Sequence, residues 1–156
     1  MDATHLHLVL NHFPIVGTFF AMFILAFGLF LKKDEVANTA LIMMIFVAII
    51  TIPVYVTGEE AEHTVEYLPG VSKYYIEEHE KMGELSLWLV SASGTVAVMA
   101  LLSAFLNKKR NKTLDWATLG LLIGTFAFMA YVGDLGGKIR HSEIRKVESH
   151  PTRGQD

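Results

Sequence analysis

Cysteine is absent from this chain, and charged residues are absent from four long stretches of it. Without cysteine the protein has no disulfide, no thiolate-bound iron–sulfur cluster and no haem attached covalently through a C-x-x-C-H motif. Acidic and basic residues are both missing from residues 3–31, 36–58, 85–107 and 116–133. A helix of a soluble bundle normally carries a polar stripe, so these stretches argue against a water-soluble protein.

The four uncharged stretches have the length of membrane-spanning helices. A helix rises about 1.5 Å per residue, so roughly 20 apolar residues cross a hydrocarbon core of about 30 Å. Each stretch reaches or nearly reaches that length, and the mean hydropathy of the chain is +0.39. The first stretch lacks the basic leader of a cleavable signal peptide and is long enough to span. The sequence predicts an all-α integral membrane protein in a lipid bilayer, a four-helix bundle with up-down-up-down topology.

The chain divides into one transmembrane domain, residues 1–141, and a polar C-terminal tail, residues 142–156. Within the fourth stretch, Gly120 and Gly124 form a small-xxx-small pair. Such a pair lets two membrane helices approach closely, so we expect the fourth helix to pack on a neighbour through these glycines.

The connections between the stretches differ in charge, and this predicts the orientation. Lys32 and Lys33 follow the first stretch, and the connection after the third carries Lys108, Lys109, Arg110 and Lys112. The connection over residues 59–84 carries eight glutamates against Lys73 and Lys81. The positive-inside rule therefore places the lysine-bearing loops in the cytoplasm and both termini outside. We expect a multi-pass protein of the bacterial inner membrane with this outer end facing the periplasm.

All seven histidines map to the outer end of the predicted bundle. Counting about 20 residues from the cytoplasmic boundary places His12 and Asp134 near the outer edge of the hydrocarbon. Four histidines from four different helices then share a layer about 7 to 12 Å further out, namely His7, His63, His79 and His141. Ionisable groups that converge in a membrane bundle indicate a functional site, and here they predict a metal or haem site.

Local spacing refines the candidate ligands but leaves alternatives open. His7 and His12 are five residues apart, so they point about 140° away from each other on a helix and are not expected to bind one metal together. Glu60 precedes His63 by three residues, as in di-iron carboxylate bundles, but no second copy of that pattern occurs. A solvated acidic loop is the favoured interpretation of Glu59 and Glu60. For His12, which lies close to Pro14, the alternative to ligand binding is a structural role at the start of a helix.

Three short motifs resemble a known family. They are the opening His7-Leu-Val-Leu-Asn-His12-Phe13-Pro14, the His79 at the start of the third helix, and the closing Gly136-Gly137-x-x-x-His141. They resemble an uncharacterised, cytochrome b-like group of small bacterial four-helix membrane proteins with an H-x4-H-F-P opening and a Gly-Gly-x3-His end. Members occur fused to cytochrome c or Rieske domains, so the resemblance implies a role in electron transfer. The family has His-Gly where His141-Ser142 stand here.

The residues and the resemblance together predict a membrane electron-transfer subunit that binds b-type haem at its outer end. The expected axial ligands are His7 or His12 from the first helix, His63 or His79 from the hairpin, and His141 from the last, with the pairing undecided. As partners we expect a quinol-linked protein or a cytochrome c, and a larger oxidoreductase complex or a homo-oligomer, but no nucleic acid.

Two other functions remain open. The first is a non-haem site for zinc, copper or iron, since imidazole suits all three metals and carboxylates favour a harder ion. Its ligands would be drawn from His7, His63, His79, His141, Glu60, Glu80 and Asp134. The second is a structural membrane subunit without a cofactor.

Overall fold

The chain folds into five helices in a computed structural model, which describes residues 2–106 and 110–145. They are α1 (Ala3–Leu10), α2 (His12–Phe30), α3 (Asp34–Val65), α4 (Lys73–Leu106) and α5 (Lys112–Arg140), followed by a 3₁₀ turn at Ser142–Ile144. α1 and α2 form one span that is interrupted at Asn11. The described residues contain no β-strand, so the predicted all-α four-helix architecture is confirmed. His150 and most of the predicted tail lie outside the described residues.

The four spans pack in chain order and close into a ring. α2 packs on α3, α3 on α4, α4 on α5, and α5 back on α2. α1 departs from this arrangement, because within the described residues it packs on α3 and contacts α2 but reaches neither α4 nor α5. The ring is therefore open on one side at the end of the bundle where α1 lies.

Small residues bring the helices close together in the core. A Cβ atom on Gly28 would lie 2.7 Å from the backbone nitrogen of Ala37, and one on Gly94 would lie 2.6 Å from the Cβ of Ala48. The expectation that Gly120 and Gly124 make such a contact is wrong. A Cβ at either position would meet nothing within 4 Å, because both glycines lie on the exposed face of α5.

Most of the apolar surface of the spans faces outward. Only 28 to 33% of the most apolar window of each span is buried inside the bundle. The outward residues include large aromatic side chains, such as Phe20, Phe23, Phe46 and Trp88. An apolar surface this extensive needs a lipid environment. All four helices are long and apolar enough to cross a membrane, and the protein is multi-pass.

The helices extend past the uncharged stretches at the histidine end. His63 and His79 therefore lie in α3 and α4 rather than in a loop, and the connection between these helices is only residues 66–72. Gly70 turns this connection with a φ of +80°, a conformation that favours glycine. Arg145 donates to the Gly70 carbonyl at 3.0 Å, and Arg140 donates to the carbonyl of Pro69. The connection is thus fastened to the end of α5.

The opposite end of the bundle contains a buried ion pair. Arg110 donates from Nε and a second nitrogen to the two carboxylate oxygens of Asp115, at 2.6 and 2.9 Å. A third nitrogen donates to Oδ1 of Asn38 at 2.6 Å. The Asp115 side chain is fully buried and that of Arg110 is 7% exposed. This pair joins the α4–α5 connection to the first turns of α3 and α5.

Candidate cofactor site

His7 is held on α3 by one hydrogen bond and one close contact. Its Nδ1 lies 2.9 Å from the carbonyl oxygen of Val54. A carbonyl only accepts, so Nδ1 carries the proton, and in the neutral imidazole Nε2 keeps its lone pair. A Cβ on Gly58 would lie 2.8 Å from the His7 ring, so only glycine leaves room for the imidazole here. Nε2 has no hydrogen-bond partner among the described residues.

His79 is held on α5 in the same way. Its Nδ1 lies 3.0 Å from the carbonyl oxygen of Val132, and a Cβ on Gly136 would lie 3.0 Å from its ring. In both cases the accepting carbonyl is four residues before the glycine. His79 therefore also presents an Nε2 that no described residue engages. An Nδ1–H bound to a backbone carbonyl is the arrangement that orients a histidine for ligation through Nε2.

These two histidines are equivalent positions in a repeated helical hairpin. His7 and His79 are 72 residues apart, and the buried positions of α2 recur in α4 at the same spacing. Gly58 and Gly136 are 78 residues apart, and every buried position of α5 lies 78 residues after a buried position of α3. α1–α3 and α4–α5 thus form two halves with the same spacing of buried positions.

A cavity of about 860 Å³ lies at this end of the bundle. Both histidines line it, together with residues of all four spans and of the 66–72 connection. The cavity forms because α1 leans on α3 and leaves a gap towards α5. His7 and His79 come from diagonally opposite spans, so a ligand between them would meet one imidazole on each side.

The other predicted ligands fall into two groups. His12, His141 and Glu80 also line the cavity. His63, Glu60 and Asp134 are exposed and lie outside it. Asp134 pairs with Lys138 one turn later on α5. Glu60 is exposed as the solvated interpretation expects, whereas its exposed neighbour Glu59 lines the cavity, and the segment is helical rather than a loop.

His141 follows the last residue of α5 and points its Nδ1 at its own neighbour. The distance from this nitrogen to Oε1 of Glu143 is 2.8 Å. The pKa of Glu143 is lowered mainly by the hydrogen bond from its own backbone N–H to its carboxylate. The hydrogen bond with His141 lowers it further. His141 is thus an exposed residue at the mouth of the cavity rather than a buried partner of His7 or His79.

Among the residues that the structure describes, no three His, Asp or Glu side chains are grouped so that they would hold one metal ion. A zinc or copper site built only from protein needs three or four such ligands. The geometry gives no support to the predicted site of His7, His63, His79, His141, Glu60, Glu80 and Asp134. It places His7 and His79 in the lining of one cavity, each with its Nδ1 bound to a helix carbonyl.

Two buried polar atoms without partners also belong to residues that line the cavity. They are Oδ1 of Asn11 and Oγ of Ser86. Sequence reasoning missed both of them, as it missed the carbonyls and glycines that hold the two histidines. One signal was present for the latter, because the pattern Val-x-x-x-Gly occurs at Val54–Gly58 and again at Val132–Gly136.

Comparison of the chain with protein-family models, with curated proteins and with solved structures finds no match.

Proposed function

We propose that this protein is a membrane electron-transfer subunit that binds one b-type haem between His7 and His79. The observation that carries the proposal is the matched pair of imidazoles. Each is fixed through Nδ1 on a helix carbonyl, and each has an Nε2 available to a ligand in the same cavity. Two neutral imidazoles from opposite sides are a complete set of protein ligands for haem iron.

The number of ligands favours haem over a metal ion held by protein alone. A porphyrin supplies four nitrogens in its plane, so the protein needs to add only the two axial ones. The described residues offer such a pair and no larger cluster. The chain lacks cysteine, so the haem would be non-covalently bound. When bound, haem supplies a centre that gains and loses one electron at a time.

The cavity fits such a group in size and in chemistry. Its volume lies within the range of about 300–1,000 Å³ that is usual for ligand and cofactor sites. Its walls include apolar side chains such as Ile15, Val54 and Val132, which exclude water from a macrocycle. Arg140 lines the cavity where α5 ends, and there it would hold a haem carboxylate as an ion pair.

We place the histidine end outside the cytoplasm, in the periplasm of a bacterial cell, because the lysine-rich connections lie at the other end. The exposed faces of α3 and α4 at the histidine end carry glutamates, among them Glu59, Glu60 and Glu77. An acidic surface of this kind attracts a basic partner such as a cytochrome c. The protein would then pass electrons from a membrane donor to an external acceptor.

The proposal is tested by the absorption spectrum of the purified protein, reduced minus oxidised, together with the haem-to-protein ratio. We expect a b-type spectrum in the wild type and the loss of most bound haem in His7→Ala and in His79→Ala. His63→Ala is the matched control, since His63 lies in α3 at the same end of the bundle but is exposed and outside the cavity. It should keep the wild-type haem content.

His141→Ala separates the structural interpretation from the motif resemblance. If His141 is an axial ligand, as the closing motif implies, this variant loses most of its haem. If the pair is His7 and His79, His141→Ala keeps most of its haem. A protein that shows no haem spectrum but contains stoichiometric zinc, copper or iron would replace haem by a metal centre. Absence of both would leave a structural subunit.

A further inference from the structure

Asn11 and Ser86 line a part of the cavity that lies deeper in the bundle than the two histidines, and this part is called the recess. Asn11 follows His7 by four residues, and Ser86 follows His79 by seven, which is about 6 to 10 Å towards the membrane centre at helical rise. Ser86 is only 6% exposed, and its hydroxyl has no partner among the described residues. A buried hydroxyl or amide oxygen without a partner is destabilising, so each of these two groups calls for a hydrogen-bond partner.

The two unpartnered groups lie on diagonally opposite spans. Asn11 joins α1 to α2, and Ser86 is in α4, which makes no contact with α2 among the described residues. A ligand that satisfies both groups therefore needs a polar atom at each of two opposite ends. Asn11 Oδ1 accepts, so the ligand atom that faces it is a hydrogen-bond donor.

The recess is reached from the side of the bundle. Among the described residues α1 makes no contact with α5, and the α5 residues that line the cavity at this height include the small residues Ala130 and Gly133. A Cβ on Gly133 would come within 4.0 Å only of the tip of Ile15. Leu8, 62% exposed, lies on the α1 side of this opening. A molecule dissolved in the lipid therefore has access to the recess without passing through water.

We propose that the recess binds the ring of a membrane quinol, with its apolar chain leaving between α1 and α5. A hydroquinone carries two hydroxyl groups at opposite ends of one planar ring, and each hydroxyl donates one hydrogen bond. One hydroxyl is bound by Asn11 Oδ1 and the other by Ser86 Oγ. The role of the bound quinol as an electron source rests on the proposed function. Binding of the quinol ring itself does not require haem.

Binding is measured with the full-length chain purified in detergent, by calorimetric titration with a reduced benzoquinol that bears a ten-carbon chain. Haem content is recorded on the same sample. We expect Ser86→Ala and Asn11→Leu each to weaken binding about three- to tenfold, the effect of one lost hydrogen bond. Ser103→Ala is the matched control, because Ser103 is in the same helix but donates to the carbonyl of Ala100 at the far end.

Ser86→Ala decides the test even if Asn11→Leu does not fold, because its hydroxyl makes no hydrogen bond to a described residue and its removal leaves the bundle intact. An affinity unchanged by Ser86→Ala would overturn the proposal. So would equally tight binding of decanol, which carries one hydroxyl and no ring and would reveal an ordinary lipid cleft. Quinol binding in a sample without any haem spectrum would support this site and contradict the haem proposal. A haem spectrum without quinol binding would support the haem proposal and contradict this site.

Discussion

Each of the two partly buried imidazoles is held by a hydrogen bond to a backbone carbonyl, and its ring lies against a glycine, which has no Cβ atom. The carbonyls of Val54 and Val132 determine which nitrogen carries the proton, and Gly58 and Gly136 leave the space in which the rings lie. A side chain at either glycine would push the ring away from its carbonyl. The position of Nε2 therefore depends on residues that bear no ligating atom.

We expect Gly58→Ala and Gly136→Ala each to lower the haem-to-protein ratio several-fold. The new Cβ atoms would lie 2.8 and 3.0 Å from the imidazoles of His7 and His79, closer than side chains normally approach. Gly120→Ala and Gly124→Ala are matched controls in α5, since nothing lies within 4 Å of a Cβ there. The controls should keep the haem and gain up to about 1 kcal/mol of stability from helix propensity. Equal haem content in all four variants would contradict this account of the site.

The candidate site was predictable only in part from single residues. The charge-free stretches place all the histidines at one end, which the sequence alone reveals. Which two imidazoles meet depends on helix rotation and on carbonyls four residues before a glycine, and hydropathy carries no information on either. Asn11 and Ser86 gave no signal, because an isolated asparagine or serine in an apolar stretch is normally paired.

At the level of elements, the uncharged stretches gave the number of helices but not their ends. α3 and α4 continue past the hydrocarbon because helical residues there, such as Glu60 and Glu77, point into water. α2 ends with Lys32 at a φ of 55° and with a hydrogen bond from the Lys33 nitrogen to the Gly28 carbonyl. Such an end normally uses glycine at the left-handed position, so a lysine there gave no sequence signal.

The Arg110 ion pair joins three elements, and we expect Arg110→Gln to lower the free energy of unfolding by about 3–5 kcal/mol. This substitution leaves the fully buried carboxylate of Asp115 without its cation. Replacing both residues by leucine should recover much of the loss, because the double variant leaves no unpaired charge. Lys112→Gln, at an exposed position, should change stability by less than about 0.5 kcal/mol. Thermal unfolding in detergent measures all four proteins, and a double variant as unstable as Arg110→Gln would contradict the explanation.

For the whole molecule, the two similar hairpins explain why the site has one imidazole on each side. The buried positions of one half recur in the other, yet identical residues at equivalent positions are few, for example Leu41 with Leu119 and His63 with His141. In lipid many apolar residues satisfy the same position, so the two halves can share a pattern of burial without sharing their residues. Only the structure aligns the halves.

The orientation of the bundle is tested by single-cysteine labelling, for which a chain without cysteine has no background. Lys33 lies at the end of the bundle that carries Arg110, and Pro69 lies at the histidine end; both are exposed. Arg140 and Arg145 at the histidine end donate to carbonyls of the 66–72 connection, whereas Lys32, Lys33 and Lys112 are exposed at the other end. We therefore expect Pro69→Cys to react with an impermeant maleimide in intact cells, and Lys33→Cys to react only after the membrane is opened.

Ala97→Cys is the control for this labelling, because Ala97 is fully buried in the core and should stay unlabelled in both conditions. The reverse pattern, with Lys33→Cys labelled from outside, would move the histidine cavity to the cytoplasmic face. An external cytochrome could then no longer accept electrons from it, and the acceptor would have to be a cytoplasmic protein. The proposed haem ligands and the proposed quinol recess would be unaffected, since both proposals rest on contacts inside the bundle.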